Sequence, residues 1–204
     1  MLSKKQIKRK YNESAKLYDI SEGILEIFVF RLRARLLKKS RGKVLDVACG
    51  TGRNFYYFPK QCKITATDFS EGMLSLAKKR ALKLKRKIDF RIADTENLPF
   101  KDNTFDTVVN SLALCTYRNP VKALKEIARV CKPSGKILLF EHGASSNYLV
   151  KKIQQKLSKS WEQHSGCNLE RNILALVKKS GLKILNFERK FFGVFCLVEA
   201  KPDN

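Results

Sequence analysis

The sequence predicts an α/β domain, a seven-stranded, mostly parallel sheet with an antiparallel last strand and helices on both faces. Three observations carry that prediction. Between residues 43 and 200, short β-branched runs alternate with helical patterns, which requires crossover connections and a sheet covered on both sides. The last two strand-like runs, LKILNFERK (182–190) and FFGVFCLVEA (191–200), are separated only by a bend, so they should pair as an antiparallel hairpin. Two glycines separated by one residue follow the first strand, at the crevice where such sheets hold ligands.

Taken in order, residues 3–39 show helical spacing, with Ile20, Ile24, Ile27, Phe28 and Leu32 on one side and arginines after them. KVLDVAC (43–49) is the first strand, followed by a short helix at 53–58. KITATDF (63–69) leads into a helix at 71–86, and IDFRIAD (88–94) and FDTVVNSLAL (105–114) are the third and fourth strands. A helix at 120–132, the strand KILLFEH (136–142) and a helix at 168–180 precede the final hairpin. A length of 204 residues, without repeats or low-complexity linkers, predicts one domain. Its parts are an N-terminal helical cap (1–40), a core (41–142), and C-terminal helices with the β-hairpin (143–204).

Lys and Arg number 42 against 19 Asp and Glu, a formal charge of +23 that attracts polyanions or anionic lipid. The basic residues spread over SKKQIKRK, RLRARLLKKSRGK, KKRALKLKRK (78–87) and KKIQQKLSK (151–159), a property of the whole surface rather than a single nucleic-acid stripe. Six cysteines lie far apart, with no CxxC pair and no secretory leader, which predicts reduced thiols and a cytoplasmic location. No run of about 18 apolar residues could span a membrane. The most apolar N-terminal stretch, GILEIFVFRL (23–32), is shorter and carries a glutamate.

The turn VLDVACGTGRN narrows the choice of ligand. A dinucleotide fingerprint, GxGxxG, would place a third glycine at position 55, which Phe55 holds. Asp46 would repel a pyrophosphate at the helix N-terminus, whereas it suits a ligand bearing an ammonium group. ITATDFSEGML (64–74) puts Asp68 at the end of the second strand, RIADTENLPFKDNTFDTVV (91–109) puts Asp94 after the third, and EIARVCKPSGKILLFEH (126–142) carries the fifth.

This ordered set resembles the motifs of the class I S-adenosylmethionine-dependent methyltransferases, in the type 11, quinone-methyltransferase-like branch with its Rossmann-like fold. The resemblance implies S-adenosylmethionine as cofactor and S-adenosylhomocysteine as product. It places Asp46, Gly50 and Gly52 at the binding turn, Asp68 on both ribose hydroxyls and Asp94 on the adenine amino group. Met73 would pack against the ribose or adenine, and equally reads as a helix residue facing the core. A ligand with an amino-acid end, sugar hydroxyls and adenine, but no phosphate, needs such short carboxylates and backbone groups. Asp106 reads instead as a structural residue at a strand start.

Methyl transfer from a sulfonium is an in-line displacement in which alignment and desolvation do most of the catalysis, so no metal is expected. SLALCTYRNP, FEHG and W…GCNLER resemble a narrower subgroup, the membrane-associated thiol S-methyltransferases and bacterial phospholipid N-methyltransferases. Trp161, Gly166, Cys167, Asn168, Arg171 and the Glu141-His142 pair carry the match. It implies an acceptor pocket including Trp161, Cys167 and Arg171, a small apolar or lipid-like acceptor (a phospholipid amine or a thiol), and peripheral association with an anionic membrane, at its inner face.

His142 is a candidate base or acceptor-orienting donor, or a capped structural histidine; Tyr18 is a candidate covering hydroxyl, or a packing residue. Arg171 would hold an anionic headgroup or cap a carboxylate network. Cys115 and Cys167 are not spaced for a metal site and read as buried packing, and His164 reads as exposed. Two alternatives stay open. LPFKDNTFD is shared with quinone C-methyltransferases, and the basic surface suits a nucleic-acid methyltransferase or nucleic-acid-binding protein. Against the latter, no NPPY motif is present and aromatics are not interleaved with the basic runs.

Overall fold

The computed structural model describes residues 2–203. Its strands are β1 (Lys43–Val47), β2 (Lys63–Asp68), β3 (Ile88–Ile92), β4 (Phe105–Ser111), β5 (Cys131–His142), β6 (Lys183–Lys190) and β7 (Phe195–Lys201). They form one sheet in the order β3-β2-β1-β4-β5-β7-β6. β7 runs antiparallel to both its neighbours, and the pairings from β3 through β5 are parallel, as the sequence predicts. The order reverses beside β1, whose neighbours are β2 and β4, so the crossovers diverge there and leave a crevice beyond the strand ends.

The helices are α1 (Lys4–Leu37), α2 (Glu71–Lys83), α3 (Pro120–Val130), α4 (Tyr148–Ser165) and α5 (Ile173–Lys179). Each begins at a side chain that accepts an otherwise orphaned backbone N–H: Ser3, Ser70, Asn119, Asn147 and Asn172. Ser3 and Gln6 complete a capping box that starts the 34-residue α1. Pro120, with its fixed φ, opens α3.

Consecutive strand residues feed opposite sides of the sheet, which explains why the strands read as nearly continuous apolar runs. Leu45, Val108, Leu139 and Val198 pack with Leu124, Ile127 and Val177 of α3 and α5. Val44, Val109, Leu138 and Leu197 pack with Leu36 and Leu37 of α1 and Leu74 and Ala77 of α2. Helices therefore cover both faces.

Several boundaries differ from those the sequence suggests. The predicted helix at 53–58 is a single 3-10 turn, Arg53–Tyr56, entered through Gly52 with φ of 83°. The helix predicted at 168–180 contracts to α5, and α4 forms where the sequence registers only a basic run. The fifth strand starts at Cys131, which pairs with Phe105 ahead of a bulge. The last begins at Phe195, since Phe191, Phe192 and Gly193 all have positive φ and form the turn.

Candidate active site

The turn after β1 is built around Asp68. Its Oδ2 accepts from the Gly50 N–H at 2.9 Å and its Oδ1 from the Ser70 N–H at 2.8 Å, so one carboxylate fixes two loops. Gly50 has φ of 55°, and a Cβ there would meet nothing, so its backbone is bare toward the crevice. At Gly52, φ is 83° and a Cβ would collide with the Phe55 ring. Burial pushes the Asp68 carboxyl up to about 6, against the pull of its backbone donors.

Three adjoining cavities follow this turn, all bordered by Ala48. The first, about 420 Å³, is flanked by Lys4, Asp94, Glu96 and Tyr117. The second, about 370 Å³, shares Phe69 and Thr116 with the first and adds Tyr11, Asp68 and Met73. The third, about 300 Å³, shares Tyr18, Gly50 and Ser111 with the second and is walled by Glu22, Arg33, Arg53 and Asn54. The Ser111 hydroxyl, Arg33 Nη2 and Arg53 Nε are buried there without a hydrogen-bond partner. Buried donors of this kind normally have one, so this end is suited to a charged, oxygen-bearing ligand group.

α1 lies over the cleft and is pinned along its length. Lys4 Nζ lies 2.5 Å from Asp94 Oδ2 and 2.8 Å from Glu96 Oε2. Asn12 Oδ1 accepts from Ser70 Oγ at 2.7 Å and Gly72 N at 3.1 Å. Only glycine fits at 72, where a Cβ would lie 2.7 Å from the Asn12 carbonyl oxygen. Asp19 accepts from Thr51 Oγ1 and Arg80 Nη2 at 2.6 and 2.8 Å. Arg33 is almost wholly buried, donating to Glu26 and to Asn54 Oδ1 and stacking on Phe140.

The fold distributes the predicted residues unevenly. Gly50, Asp68, Met73, Asp94 and Tyr18 line the cavities. Asp46 does not: it is fully buried beneath Asn54, whose amide donates to Asp46 Oδ1 at 2.8 Å, and Asp46 Oδ2 has no partner. Burial pushes its carboxyl up to about 7, against Asn54 and Arg33. Asp106 is structural, accepting from the Lys43 N–H and pairing with Lys132. His164 is exposed.

His142, Cys167, Trp161 and Arg171 gather at a separate point beyond the end of β5. His142 Nε2 lies 3.1 Å from Cys167 Sγ, and the Trp161 side chain lies near the same sulfur. Arg171 donates to the Tyr117 carbonyl. Cys115, 52 positions before Cys167 in the sequence, joins them, and its contact with Cys167 together with burial pushes the Cys115 thiol up. The same contact, with His142 and Trp161, holds Cys167 below the ordinary thiol range. Nearby Glu141 is fully buried, its carboxylate accepting from Asn110 at 2.6 Å and the Leu114 N–H at 3.1 Å.

Sequence reasoning missed Glu22, Arg33 and Ser111. The signal for the first two was weak: they face the cleft from α1, and only its unbroken course brings them there.

The profile of a methyltransferase-domain family matches residues 45–139. The mitochondrial methyltransferase OMS1 of Saccharomyces cerevisiae is 30% identical over 94% of this chain and 45% of its own length. The demethylmenaquinone methyltransferase of Renibacterium salmoninarum is 37% identical over 67% of this chain and 58% of its own. Human thiol S-methyltransferase TMT1A is 33% identical over 71% and 62%. The phosphatidylethanolamine N-methyltransferase of Cereibacter sphaeroides is 29% identical over 75% and 76%. This chain thus spans 45–62% of the length of the first three. A crystal structure of an S-adenosylmethionine-dependent methyltransferase from Thermotoga maritima superposes with a TM-score of 0.72, at 19% identity, over 97% of this chain and all of that one, which establishes the shared fold.

Proposed function

Because this chain belongs to the class I S-adenosylmethionine-dependent methyltransferase family, we propose that it transfers a methyl group from S-adenosylmethionine to an apolar or lipid-like acceptor, a thiol or a phospholipid amine, carried at an anionic membrane surface. The observation that carries the transfer is the row of three cavities, because their chemistry changes along the row as the cofactor's does.

The residues present fit the cofactor. Arg33, Arg53 and Ser111, each with a buried polar atom that makes no hydrogen bond, suit an amino-acid carboxylate, and Glu22, which lies 3.7 Å from Arg33 Nη2, suits its ammonium. Asp68 retains acceptor capacity for ribose hydroxyls beyond the two backbone donors it already serves. Asp94 supplies an acceptor for an adenine amino group in the first cavity. When bound, S-adenosylmethionine supplies an activated methyl group. The protein's part is alignment and exclusion of water, which can supply about 7–11 kcal/mol in favourable cases. Tyr11, Phe69 and Met73 narrow the second cavity, and α1 closes over it. The Tyr18 ring stands where the second and third cavities join, in position to orient an incoming acceptor.

The outer surface supports the membrane-borne acceptor. Leu17, Ile20, Ile24, Ile27 and Phe28 recur at helical spacing on the solvent side of α1, each at least 60% exposed. On α4, Leu149, Ile153, Leu157 and Trp161 form a second exposed stripe, with Lys152, Lys156 and Lys159 beside it. Exposed apolar stripes flanked by lysine suit shallow insertion into an anionic interface. Among the described residues, no helix is long and apolar enough to cross a membrane.

The test is a screen with labelled methyl donor against alkyl thiols, phosphatidylethanolamine in anionic vesicles, demethylated quinones and RNA. Methylation of thiol or phospholipid, raised by anionic vesicles, is the expected result. Transfer only to quinone or RNA would overturn the acceptor assignment.

A further inference from the structure

Cys115, His142 and Cys167 come from three separate elements: the loop after β4, the end of β5 and the segment after α4. Nothing in their sequence spacing pairs them. In the fold, the two thiol sulfurs and an imidazole nitrogen all lie within 4.8 Å of one another. Both cysteines are buried, and His142 is partly accessible.

We propose that these three residues bind a zinc ion, with Cys115 and Cys167 as thiolate ligands and His142 as the imidazole ligand. Two thiolates and one imidazole are a soft to borderline donor set, which selects zinc over magnesium or calcium. Two thiolates also neutralise a dication, the main obstacle to placing one in a buried site. Zinc–sulfur and zinc–nitrogen bonds of about 2.3 and 2.0 Å put the ligand atoms of a tetrahedral site some 3.5–4 Å apart. The group already lies within reach of that spacing and needs only side-chain adjustment.

The surroundings fit. The backbone is braced, with the Asn168 N–H donating to the Cys115 carbonyl at 3.0 Å and the Cys167 N–H donating to Ser165 Oγ at 3.1 Å. The carboxylates of Glu141 and Glu162 lie close enough to offset the charge of Arg171.

Three protein ligands are one fewer than a closed structural zinc centre uses, and match the number in sites that keep a position open. The open position would take water or an exogenous thiol, either of which zinc acidifies on binding. Cys115 adjoins Thr116, which lines two of the three cavities, so the group neighbours the cleft in the chain without lining it. The metal assignment does not depend on the methyltransferase reading.

The test uses the full chain, purified without a histidine tag and under reducing conditions. After zinc loading and dialysis, elemental analysis should find about one zinc per chain in the wild type. Cys115→Ser, Cys167→Ser and His142→Ala should each fall to about a tenth of that or less, while Cys62→Ser, distant from the group, keeps it. Cobalt substitution supplies a readout that a structural role alone would not move. The wild type should show a thiolate-to-cobalt charge-transfer band and the visible bands of a tetrahedral ion, and Cys115→Ser should lose them while its circular dichroism stays unchanged. No retained zinc and no cobalt–thiolate band in the folded wild type would overturn the site, as would a Cys115→Ser variant that keeps both. Binding of S-adenosylmethionine, measured on the same samples, reports separately on the cofactor cleft.

Discussion

Replacing Asp46 by Asn should make the protein more stable at alkaline pH, although it alters a fully buried residue in the glycine-turn motif. The Asp46 carboxyl has one oxygen held by the Asn54 amide and one with no partner. Burial pushes it from 3.8 up to about 7. That gap corresponds to about 4 kcal/mol of preference for the neutral form, at about 1.4 kcal/mol for each tenfold change in proton affinity. Between these values the folded chain binds more protons than the unfolded chain, so stability falls as pH rises from about 4 to about 7 and levels off above. Asp68, raised to about 6, acts in the same direction. An Asn at position 46 keeps an acceptor for Asn54 and never ionises. At pH of about 8 the variant should therefore gain about 2–4 kcal/mol, or roughly 5–15 °C in Tm for a chain of this size, and at pH of about 4 it should gain nothing. Urea denaturation followed by circular dichroism at the two pH values measures this. A variant destabilised to the same extent at both would refute the reasoning, because it would show that Asp46 is held by its contacts rather than opposed by its burial.

Arg33→Met should destabilise the fold by about 3–5 kcal/mol in chemical denaturation, because it leaves the partly buried Glu22 and Glu26 without their cation; a loss below about 1 kcal/mol would contradict that reading. Affinity for S-adenosylmethionine, measured by calorimetry, should rise about tenfold between pH of about 5 and about 7 as Asp68 ionises, then flatten. A flat or falling profile would argue against Asp68 as a ligand. Leu149→Glu combined with Ile153→Glu should reduce sedimentation with anionic vesicles by at least about tenfold while leaving transfer to a water-soluble thiol unchanged; undiminished vesicle binding would remove α4 from the membrane face.

The sheet was legible because its strands announce themselves locally: β-branched runs ending in glycine or aspartate fix the order of elements, and the close succession of the last two runs fixes the final hairpin, although the turn falls on Phe191–Gly193, which the sequence assigns to the strand. The helices were harder. The apolar spacing of α4 is regular, yet its stripe faces solvent, so a pattern that normally marks a buried face marks an exposed one here. Asp68, Asp94, Gly50 and Met73 could be placed at the crevice from sequence because each stands at a strand end or on the adjoining helix, where topology alone puts it there. Asp46 was legible as an important residue but not as one shielded by Asn54, since local sequence does not give the depth of a side chain. Glu22, Arg33 and Ser111 needed the long-range packing of α1 against the sheet, and the Cys115–His142–Cys167 group needed three distant segments to converge. Neither is encoded at any fixed spacing.

The central claim, that the three cavities form one S-adenosylmethionine site anchored by Asp68, is tested most directly by titrating S-adenosylmethionine into the wild type and Asp68→Ala in a calorimeter. The account predicts one molecule bound per chain and an affinity at least about 100-fold weaker in the variant, since hydrogen bonds to a charged group contribute about 1.5–3 kcal/mol each and two would be lost. Absence of binding to the folded wild type, or equal affinity in a folded variant, would contradict it.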